Sequence, residues 1–311
     1  MTKFGFYTDL HLEGETPKHR IDDYPRTLIE KQREVYKIAQ EEHCEFMLFG
    51  GDWCNNHRIY SYGVIDDSMD IVCNSDMRTY MVIGEHDLYG HNLSSYPTST
   101  LAHIVRRCGM ITVLWEPVTL GDIVLYGKHE PDKMPDALAV KKDIAKINIM
   151  LCHELITCEE APFEMINTNT LRNTGFDLIV SGDLHKGYPV HSVDGTWFCN
   201  PGSLARRTTA DAERFPQMAI ISIEKGKTPK IEYRKLQCGK AGSEVFGTSI
   251  AEVARSGVGD ASVFAKELMK IEASSTDIYD FVHQSGQQAG LRKPVLDYLD
   301  SKRPVKMGNE K

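Results

Sequence analysis

Short apolar runs recur along the first two thirds of the chain, and each ends in glycine or in a cluster of polar residues. The runs lie at 3–9, 45–52, 79–87, 147–154 and 177–185. Runs of four to six apolar residues bounded in this way are typical of buried central β-strands. The pattern therefore predicts a sheet structure in which polar side chains follow the carboxyl ends of the strands.

Helical periodicity and turn signals fill much of the space between and after these runs. Apolar residues recur at helical spacing within 24–42, and a second helical stripe spans 101–105. After the last of the five runs, an Asp-Gly pair at 194–195 indicates a tight β-hairpin, and a second hairpin is predicted around 225–227. We expect an α/β (α+β) core with added antiparallel strands that ends near residue 237.

The last quarter of the chain has a different composition. Residues 238–260 are rich in glycine and serine, which indicates a linker or an irregular connection. Apolar residues at helical spacing in 264–271 and in 291–299 predict short helices beyond it. We therefore assign 1–237 to one large domain and 238–311 to a linker with a small helical capping or partner-binding region.

Composition supports a folded protein of the cell interior. The chain has 311 residues, 41% of them hydrophobic, which is enough to bury a large core. Its eight cysteines are scattered without a C-x-x-C pair, and its start lacks a basic segment followed by an apolar one. No run approaches the length of a membrane span. We expect reduced thiols, a soluble cytoplasmic protein and no membrane partner.

Acidic and histidine residues come directly after the five apolar runs. These residues are Asp9 and His11, Asp52, Glu85 and His86, His153, and Asp183 and His185. A single histidine at a strand end is more often a hydrogen-bonded loop residue than a metal ligand. Five such strand ends at the ligand-binding edge of an α/β sheet favour a shared site. In each Asp-Leu-His segment, the Asp and His side chains are expected on the same side of an extended backbone.

Bound cations would make such a cluster stable. Carboxylates a few ångströms apart resist joint ionisation unless a positive charge lies between them. Without His86, these segments hold seven candidate ligands, more than the four that a tetrahedral zinc ion uses. Two divalent ions about 4 Å apart that share one carboxylate would use them all.

The order of these motifs resembles the calcineurin-like metallophosphoesterase family over about residues 4–205. The motifs are D-x-H, G-D, G-x-H-D, a strand-end histidine and G-x-x-H. The resemblance implies a two-layer β-sandwich flanked by helices. It implies that one metal ion is held by Asp9, His11, Asp52 and His185. It implies that Asp52, as the bridging ligand, holds the second ion together with Glu85, His153 and Asp183.

The same resemblance implies catalytic roles for the two residues that follow Glu85. His86 corresponds to the family's histidine that contacts the scissile phosphate and assists the leaving group, and Asp87 would orient it. Hydroxide held by the two metal ions would attack phosphorus in line. The sequence thus predicts a metal-dependent hydrolase of phosphoesters.

Two ligand positions depart from the family's pattern, and both belong to the second metal position. Glu85 stands where the family usually has Asn, and Asp183 stands where it usually has His. Hard oxygen ligands favour Mn²⁺ or Mg²⁺ over Zn²⁺, so we expect two divalent ions, with Mn²⁺ first and Mg²⁺, Fe²⁺ or Zn²⁺ as alternatives. The competing interpretation is a decayed site that binds one metal ion or none.

Two further segments resemble the SbcD-type DNA repair exonucleases of this family, namely "SGDLHKGYP" and "CNPGSLARRT". Arg206 and Arg207 in the second segment are candidate contacts for DNA phosphates, since guanidinium groups pair well with them. An ordinary surface loop with two arginines is the alternative. Asn55 is a further substrate-binding candidate, at a place where that branch commonly has His.

The function predicted from sequence is a Mn²⁺-dependent DNA nuclease of the SbcD type. DNA, an SbcC-type ABC ATPase and a second copy of the chain are the partners that the resemblance implies. Two alternatives stay open. One is a phosphoesterase for a small substrate such as a cyclic nucleotide, a dinucleotide or a phosphoprotein, and the other is a non-catalytic interaction module that kept the fold.

Overall fold

The structure is a computed structural model that describes residues 1–160 and 165–247. These residues form fourteen strands. The strands are β1 (Thr2–Tyr7), β2 (Phe46–Phe49), β3 (Arg78–Met81), β4 (Ile111–Val113), β5 (Val118–Leu120), β6 (Ile123–Lys128), β7 (Ile147–Glu154), β8 (Ile156–Thr157), β9 (Ile166–Asn167), β10 (Leu178–Asp183), β11 (Tyr188–Val193), β12 (Thr196–Asn200), β13 (Gln217–Ile223) and β14 (Lys230–Lys235). The α-helices are α1 (Tyr24–Glu41), α2 (Tyr62–Cys73), α3 (Thr100–Arg107), α4 (Met134–Leu138) and α5 (Gly242–Val245).

Two six-stranded mixed sheets make up most of the described chain. The first has the order β14-β13-β1-β2-β3-β4, and the second has the order β11-β12-β10-β7-β6-β5. Within them β1 to β4 run parallel, as do β6, β7, β10 and β12. The predicted α/β (α+β) class, a two-layer β-sandwich flanked by helices, is confirmed, and each of the five apolar runs contains a strand of these sheets.

The strands are apolar on both faces because each sheet is covered on both sides. In β2, Phe46 and Leu48 pack between the two sheets, together with Leu151 and Val180 of the second sheet. Met47 and Phe49, on the other face of β2, face the helices on the outside of the first sheet. Because side chains alternate across a strand, an unbroken apolar run is what a doubly covered strand requires.

The helix predicted over 24–42 is α1, and its first turn shows why it begins there. The Asp23 side chain accepts a hydrogen bond from the Arg26 backbone N–H, and Pro25 occupies the first turn, where its missing N–H costs no helical hydrogen bond. Leu28 and Val35 of α1 are buried against the first sheet. The helix predicted around 101–105 is α3.

Both predicted hairpins are present. Strands β11 and β12 pair antiparallel around Asp194 and Gly195, whose φ angles of 50° and 83° suit a tight turn with positive φ at both central residues. Strands β13 and β14 pair antiparallel around the segment 224–229.

The chain continues to pack against this core beyond the predicted boundary at residue 237. Val245 and Phe246 at the end of α5 are buried with Ala212. The helices predicted in 264–271 and 291–299, and most of the linker predicted over 238–260, lie outside the described residues. Among the residues that the structure describes, no helix combines the length and apolarity needed to cross a membrane.

Candidate metal centre

The structure brings the predicted metal ligands to one edge of the sandwich, where strands of both sheets end. The ligands are Asp9 and His11 after β1, Asp52 after β2, Glu85 after β3, His153 in β7, Asp183 at the end of β10, and His185 after it. Their ligand atoms form groups of three in which all atoms lie within 4.8 Å of one another. The groups are Asp9-His11-His185, Asp9-Asp52-His153 and Glu85-His153-Asp183. Because the groups share members, the predicted ligands form one continuous cluster.

Asp52 lies between the two halves of this cluster. Its Oδ2 is 3.7 Å from His11 Nε2 on one side and 3.6 Å from His153 Nε2 on the other. On the first side, His11 Nε2 and His185 Nε2 are only 2.9 Å apart. A carboxylate oxygen in this position could act as a metal ligand together with the residues on either side.

Four of the ligand residues adopt left-handed backbone conformations. The φ angles are 52° for Asp9, 45° for His11, 57° for Asp52 and 72° for Asp183. The expectation that Asp and His share one side of an extended backbone is therefore wrong in both Asp-Leu-His segments. Strand β1 ends at Tyr7, strand β10 ends at Asp183, and the chain turns after each. Non-glycine residues in this region are strained, and such strain is typical of functional sites.

The motif glycines leave room for the ligands. A Cβ atom added to Gly51, whose φ is 97°, would lie 2.5 Å from His153 Nδ1. A Cβ atom on Gly84 would overlap the Asp52 carboxylate. The glycines of the G-D and G-x-H-D motifs are thus needed for close approach of the ligands.

Burial and crowding perturb the acidic ligands. Burial, together with the Asp87 and Asp9 carboxylates, raises the pKa of Asp52 well above its usual value, although the charge of His153 opposes the rise. Burial also raises the pKa of Asp183 to about 7, with His153 opposing and Glu85 contributing to the rise. These shifts are the response of carboxylates that share a buried site without a compensating cation.

The histidines of the cluster respond in opposite directions. Burial lowers the pKa of His11, and the neighbouring His185 and His86 lower it further. Burial also acts to lower the pKa of His153, but the Asp52 and Asp9 carboxylates outweigh it and raise this pKa to about 9. The negative charge of the site is therefore concentrated around His153.

Several buried atoms of the cluster fit metal binding. Asp9 Oδ2 and His153 Nε2 are buried and have no hydrogen-bond partner among the described residues. The His153 Nδ1–H donates to the Gly50 carbonyl at 2.8 Å, which fixes the ring and directs Nε2 toward Asp52. Unpaired buried ligand atoms are costly unless something coordinates them. The mixed oxygen and nitrogen donors present here fit divalent metal ions.

His86 lies next to the ligand cluster without being enclosed by it. A ring nitrogen of His86, together with ligand atoms of His11 and Asp52, forms another compact group, and the His86 side chain is 38% exposed. The Nδ1–H donates to the Asn55 backbone carbonyl at 2.8 Å, and the backbone N–H donates to Asp52 Oδ1 at 2.9 Å. The ring is thus held through Nδ1, and its Nε2 lies 3.7 Å from Glu85 Oε1.

The prediction that Asp87 orients His86 is wrong, because the Asn55 carbonyl makes that contact. The Asp87 carboxylate is fully buried and accepts backbone N–H groups from both motif loops. The donors are Asp52 at 3.1 Å, Trp53 at 3.4 Å, Cys54 at 2.9 Å and Gly84 at 3.1 Å. Burial outweighs these hydrogen bonds and raises the pKa of Asp87 to about 6. Asp87 therefore joins the loop that carries Asp52 to the loop that carries His86.

The prediction that Arg206 contacts substrate phosphate is also wrong. Arg206 is only 1% exposed. Its guanidinium donates to the backbone carbonyls of Ala212, Arg214 and Lys240. These hydrogen bonds lie inside the protein and hold together the chain segments that carry the three carbonyls.

Arg207 is partly exposed and Asn55 is buried, and Glu13 joins the two side chains. Arg207 Nη2 is 3.0 Å from Glu13 Oε2, and Asn55 Nδ2 donates to Glu13 Oε1 at 3.1 Å. The Arg207 side chain is 32% exposed. These two substrate-binding candidates therefore lie together, and the Asn55 backbone also holds His86.

Buried cations that sequence analysis did not identify hold the "GSLAR" segment. Lys31 Nζ donates to the Leu204 carbonyl at 2.9 Å, Arg20 donates to the Arg206 carbonyl, and Arg214 donates to the carbonyls on either side of Leu204. The segment in turn donates the Ala205 backbone N–H to the Asp9 carbonyl at 3.1 Å. The contacts of Lys31, Arg20 and Arg214 with this segment thus help to fix the backbone of Asp9, a predicted metal ligand.

Lys128 supports the part of the ligand cluster that contains His153. It is 1% exposed, donates to the His153 carbonyl at 2.9 Å and lies 2.8 Å from Glu154 Oε2. Its position at the end of β6 supports the end of β7, where His153 lies. Lys128 lies outside the five apolar runs, and the sequence analysis did not identify this role.

The family assignment follows from the sequence as well as the site. The sequence matches the family of calcineurin-like phosphoesterases over residues 2–187, more than half of the chain. The chain therefore belongs to this family, and its fold and candidate ligand cluster are those of a metal-binding hydrolase of phosphoesters.

Solved structures share the fold at low sequence identity. A dimetal phosphatase from Danio rerio has a TM-score of 0.51 and 12% identity, and the match covers 75% of this chain and 96% of that chain. A purple acid phosphatase from yellow lupin seeds has a TM-score of 0.49 and 11% identity, with 77% of this chain and 52% of that chain covered. No curated protein sequence is significantly similar to this chain.

Proposed function

We propose that this protein is a metal-dependent phosphodiesterase that cuts DNA. The observation that carries the proposal is the pair of ligand groups that meet at Asp52, beside the partly exposed side chain of His86. A decayed site does not fit this arrangement, because glycines still provide the space that the ligands need. Four ligand residues have strained backbone conformations, which are typical of functional sites and favour an active metal centre.

We assign the ligands to two sets that share one carboxylate. The first set is Asp9, His11, Asp52 and His185, of which Asp9, His11 and His185 form a compact group. The second set is Asp52, Glu85, His153 and Asp183, of which Glu85, His153 and Asp183 form a compact group. When bound, two divalent ions supply a Lewis acid that activates water and offsets charge on the phosphoryl oxygens.

The two departures from the family pattern bear on the choice of metal. Glu85 and Asp183 replace an amide and an imidazole with carboxylates, which are harder ligands. We therefore assign Mn²⁺ as the preferred ion, with Mg²⁺, Fe²⁺ and Zn²⁺ as alternatives. Burial and the neighbouring Glu85 carboxylate raise the pKa of Asp183, and any of these divalent ions would offset the negative charge there.

His86 is suited to act on the leaving group. Its Nδ1–H is committed to the Asn55 carbonyl, so proton exchange with a substrate occurs at Nε2. In the doubly protonated form, Nε2–H can donate to a phosphoryl oxygen and then to the departing oxygen. Asp87 supports this step through the backbone of the two loops rather than through the ring.

DNA is the proposed substrate because of the "CNPGSLARRT" segment and its surroundings. Arg207 of this segment is partly exposed beside Asn55, where a guanidinium can pair with a backbone phosphate. The resemblance to SbcD-type nucleases rests on the same segment. An SbcC-type ABC ATPase and a second copy of the chain follow from that resemblance alone and remain predictions.

A nuclease assay tests the proposal. Single- and double-stranded DNA are incubated with the full chain and Mn²⁺, alongside the Asp52→Asn and His86→Ser variants. We expect cleavage by the wild type and a loss of at least about 100-fold in each variant. Cleavage that survives both substitutions would come from a contaminant. Hydrolysis of small phosphodiesters without cleavage of DNA would replace the nuclease with the small-substrate alternative.

A further inference from the structure

An open cavity lies beside the candidate metal centre, and the partly exposed side chain of His86 lines it. Its volume is about 470 Å³, within the range of small-molecule sites. Its lining includes Asn55, Asn56, His57, Tyr89 and His91. None of the roles proposed above uses the side chains of the last four, so the cavity offers binding groups that the hydrolytic step does not require.

The cavity presents two aromatic rings to solvent. The ring centroids of His57 and Tyr89 are 5.0 Å apart, and Tyr89 is 69% exposed. An aromatic side chain gains ring–ring contacts and buried apolar area when a second ring packs on it. The exposed ring is therefore available as a stacking surface for a ligand.

Both rings are attached to a fixed backbone. The Tyr89 N–H donates to Ser95 Oγ at 2.9 Å, and the His57 carbonyl accepts the Thr100 N–H at 2.8 Å. Leu88, directly before Tyr89, is buried in the core. A stacking surface that is already ordered loses little conformational entropy when a ligand binds.

The groups that line the cavity suit a nucleobase. Among the described residues that line it there is no lysine or arginine, and Glu85 is the one carboxylate. Asn56 is exposed and supplies an amide that donates and accepts hydrogen bonds, as the edges of bases do. An aromatic base in this cavity would meet this amide and the rings of Tyr89 and His57.

We propose that this cavity binds the base of a nucleoside adjoining the scissile phosphate, with the base stacked on Tyr89 and His57. The inference rests on the proposed phosphodiesterase function and specifies its substrate class. Because a base inside a duplex is already stacked and paired, an unpaired strand or a frayed end enters this subsite more readily than an intact duplex. The cavity is thus a specificity site for unpaired nucleotides.

Chromogenic diesters separate the subsite from the reaction itself. Three substrates share p-nitrophenolate as the leaving group: methyl p-nitrophenyl phosphate and the p-nitrophenyl esters of thymidine 5′- and 3′-monophosphate. For the wild-type chain with Mn²⁺, we expect kcat/KM for at least one thymidine ester to exceed that for the methyl ester by at least about tenfold. The methyl ester measures hydrolysis without a base.

Substitutions at the ring then test the stacking. Tyr89→Ala is expected to lower the preference for the thymidine ester by about 5- to 150-fold, the range of base–aromatic stacking, and to leave hydrolysis of the methyl ester unchanged. Tyr89→Phe keeps the ring and should keep the preference. Tyr62→Ala, at an exposed tyrosine that does not line the cavity, is the matched control and should have no effect.

The outcomes distinguish the two proposals. If the wild type hydrolyses the methyl ester but shows no preference for either thymidine ester, or if Tyr89→Ala keeps the preference, the base subsite is overturned and the phosphodiesterase stands. If none of the three esters is hydrolysed, the phosphodiesterase fails and the subsite fails with it. Circular dichroism of each variant confirms that the fold is unchanged.

Discussion

The Asp87 carboxylate accepts a hydrogen bond from the Asp52 backbone N–H at 3.1 Å. The residue that follows His86 in the chain therefore holds the backbone of the carboxylate at the centre of the ligand cluster. The same carboxylate accepts the Gly84 N–H at 3.1 Å, so the G-D and G-x-H-D loops are joined through one buried side chain. The shape of the metal centre depends on this contact.

Replacing Asp87 with Asn should weaken the metal centre. An asparagine at this position has one acceptor oxygen instead of two, and its amide would face backbone N–H donors that need acceptors. We expect the free energy of unfolding to fall by about 1–3 kcal/mol and the affinity for Mn²⁺ to fall by about 10- to 100-fold. Urea denaturation and metal titration measure the two effects. A fall in kcat with stability and metal affinity unchanged would instead support the orienting role that the structure argues against.

The two adjacent arginines should respond differently to the same substitution. Arg206→Lys removes donors from buried carbonyls, and we expect it to lower the free energy of unfolding by about 2 kcal/mol or more. Arg207→Lys changes a partly exposed side chain, and we expect a stability change within about 0.5 kcal/mol together with a raised KM for DNA. Thermal melts and nuclease kinetics are measured on both variants, and each variant is the control for the other. Equal stability of both variants would contradict the structural role of the buried Arg206 hydrogen bonds.

Metal binding should stabilise the protein more at high pH than at low pH. In the metal-free chain, Asp183 has a pKa of about 7, against about 3.9 in an unfolded chain. Between these values the folded state holds a proton that the unfolded state has released, so the contribution of Asp183 to stability falls as pH rises. Divalent ions bind the deprotonated form and reverse this loss.

Thermal melts with and without Mn²⁺ check this pH dependence. We expect the increase in Tm on adding Mn²⁺ to be larger at pH 8 than at pH 5.5. Asp183→Asn removes the titrating group and should reduce the difference between the two pH values. An increase in Tm that is the same at both pH values in the wild type would be inconsistent with a metal centre that includes Asp183.

Restoring the family's usual ligands should change the choice of metal. The double variant Glu85→Asn and Asp183→His replaces two carboxylates with an amide and an imidazole. Because softer nitrogen ligands suit Zn²⁺, we expect the ratio of Zn²⁺ to Mn²⁺ affinity to rise by about tenfold or more. Competition titrations on wild type and double variant measure it. An unchanged ratio would show that these two positions do not select the metal.

The ligand cluster was predictable because each of its parts has a local signal. An apolar run that ends in glycine and acidic residues fixes a strand end, and the strand ends of one edge meet in space. The backbone at those ends was not predictable in the same way. Asp9 and His11 turn into left-handed conformations because the Ala205 N–H and other contacts far along the chain hold them there.

The difference between Arg206 and Arg207 shows the limit of a linear motif. Both belong to the same segment, but only the partners contributed by Ala212, Arg214 and Lys240 decide which guanidinium is buried. Lys31 did carry a signal that could have been used. It lies three residues after Leu28 and four before Val35, on the buried stripe of α1, where a lysine requires a buried acceptor.

Two short strands and helix α2 gave the weakest signals in the sequence. Strands β4 and β5 have three residues each, too few for a run or an alternation to stand out. Helix α2 lacks a side-chain hydrogen bond at its N-cap. These elements form because the sheet and α1 offer surfaces for them to pack on, which no local pattern reports.

Titration of the metal-free full-length chain with Mn²⁺ tests the central claim most directly. Calorimetry and elemental analysis after dialysis count the ions bound per chain, and the Asp52→Asn variant is measured beside the wild type. We predict two ions per wild-type chain, hydrolysis of a phosphodiester that appears with metal loading, and loss of both in Asp52→Asn. A wild-type chain that binds one ion or none under these conditions would contradict a two-metal centre joined at Asp52.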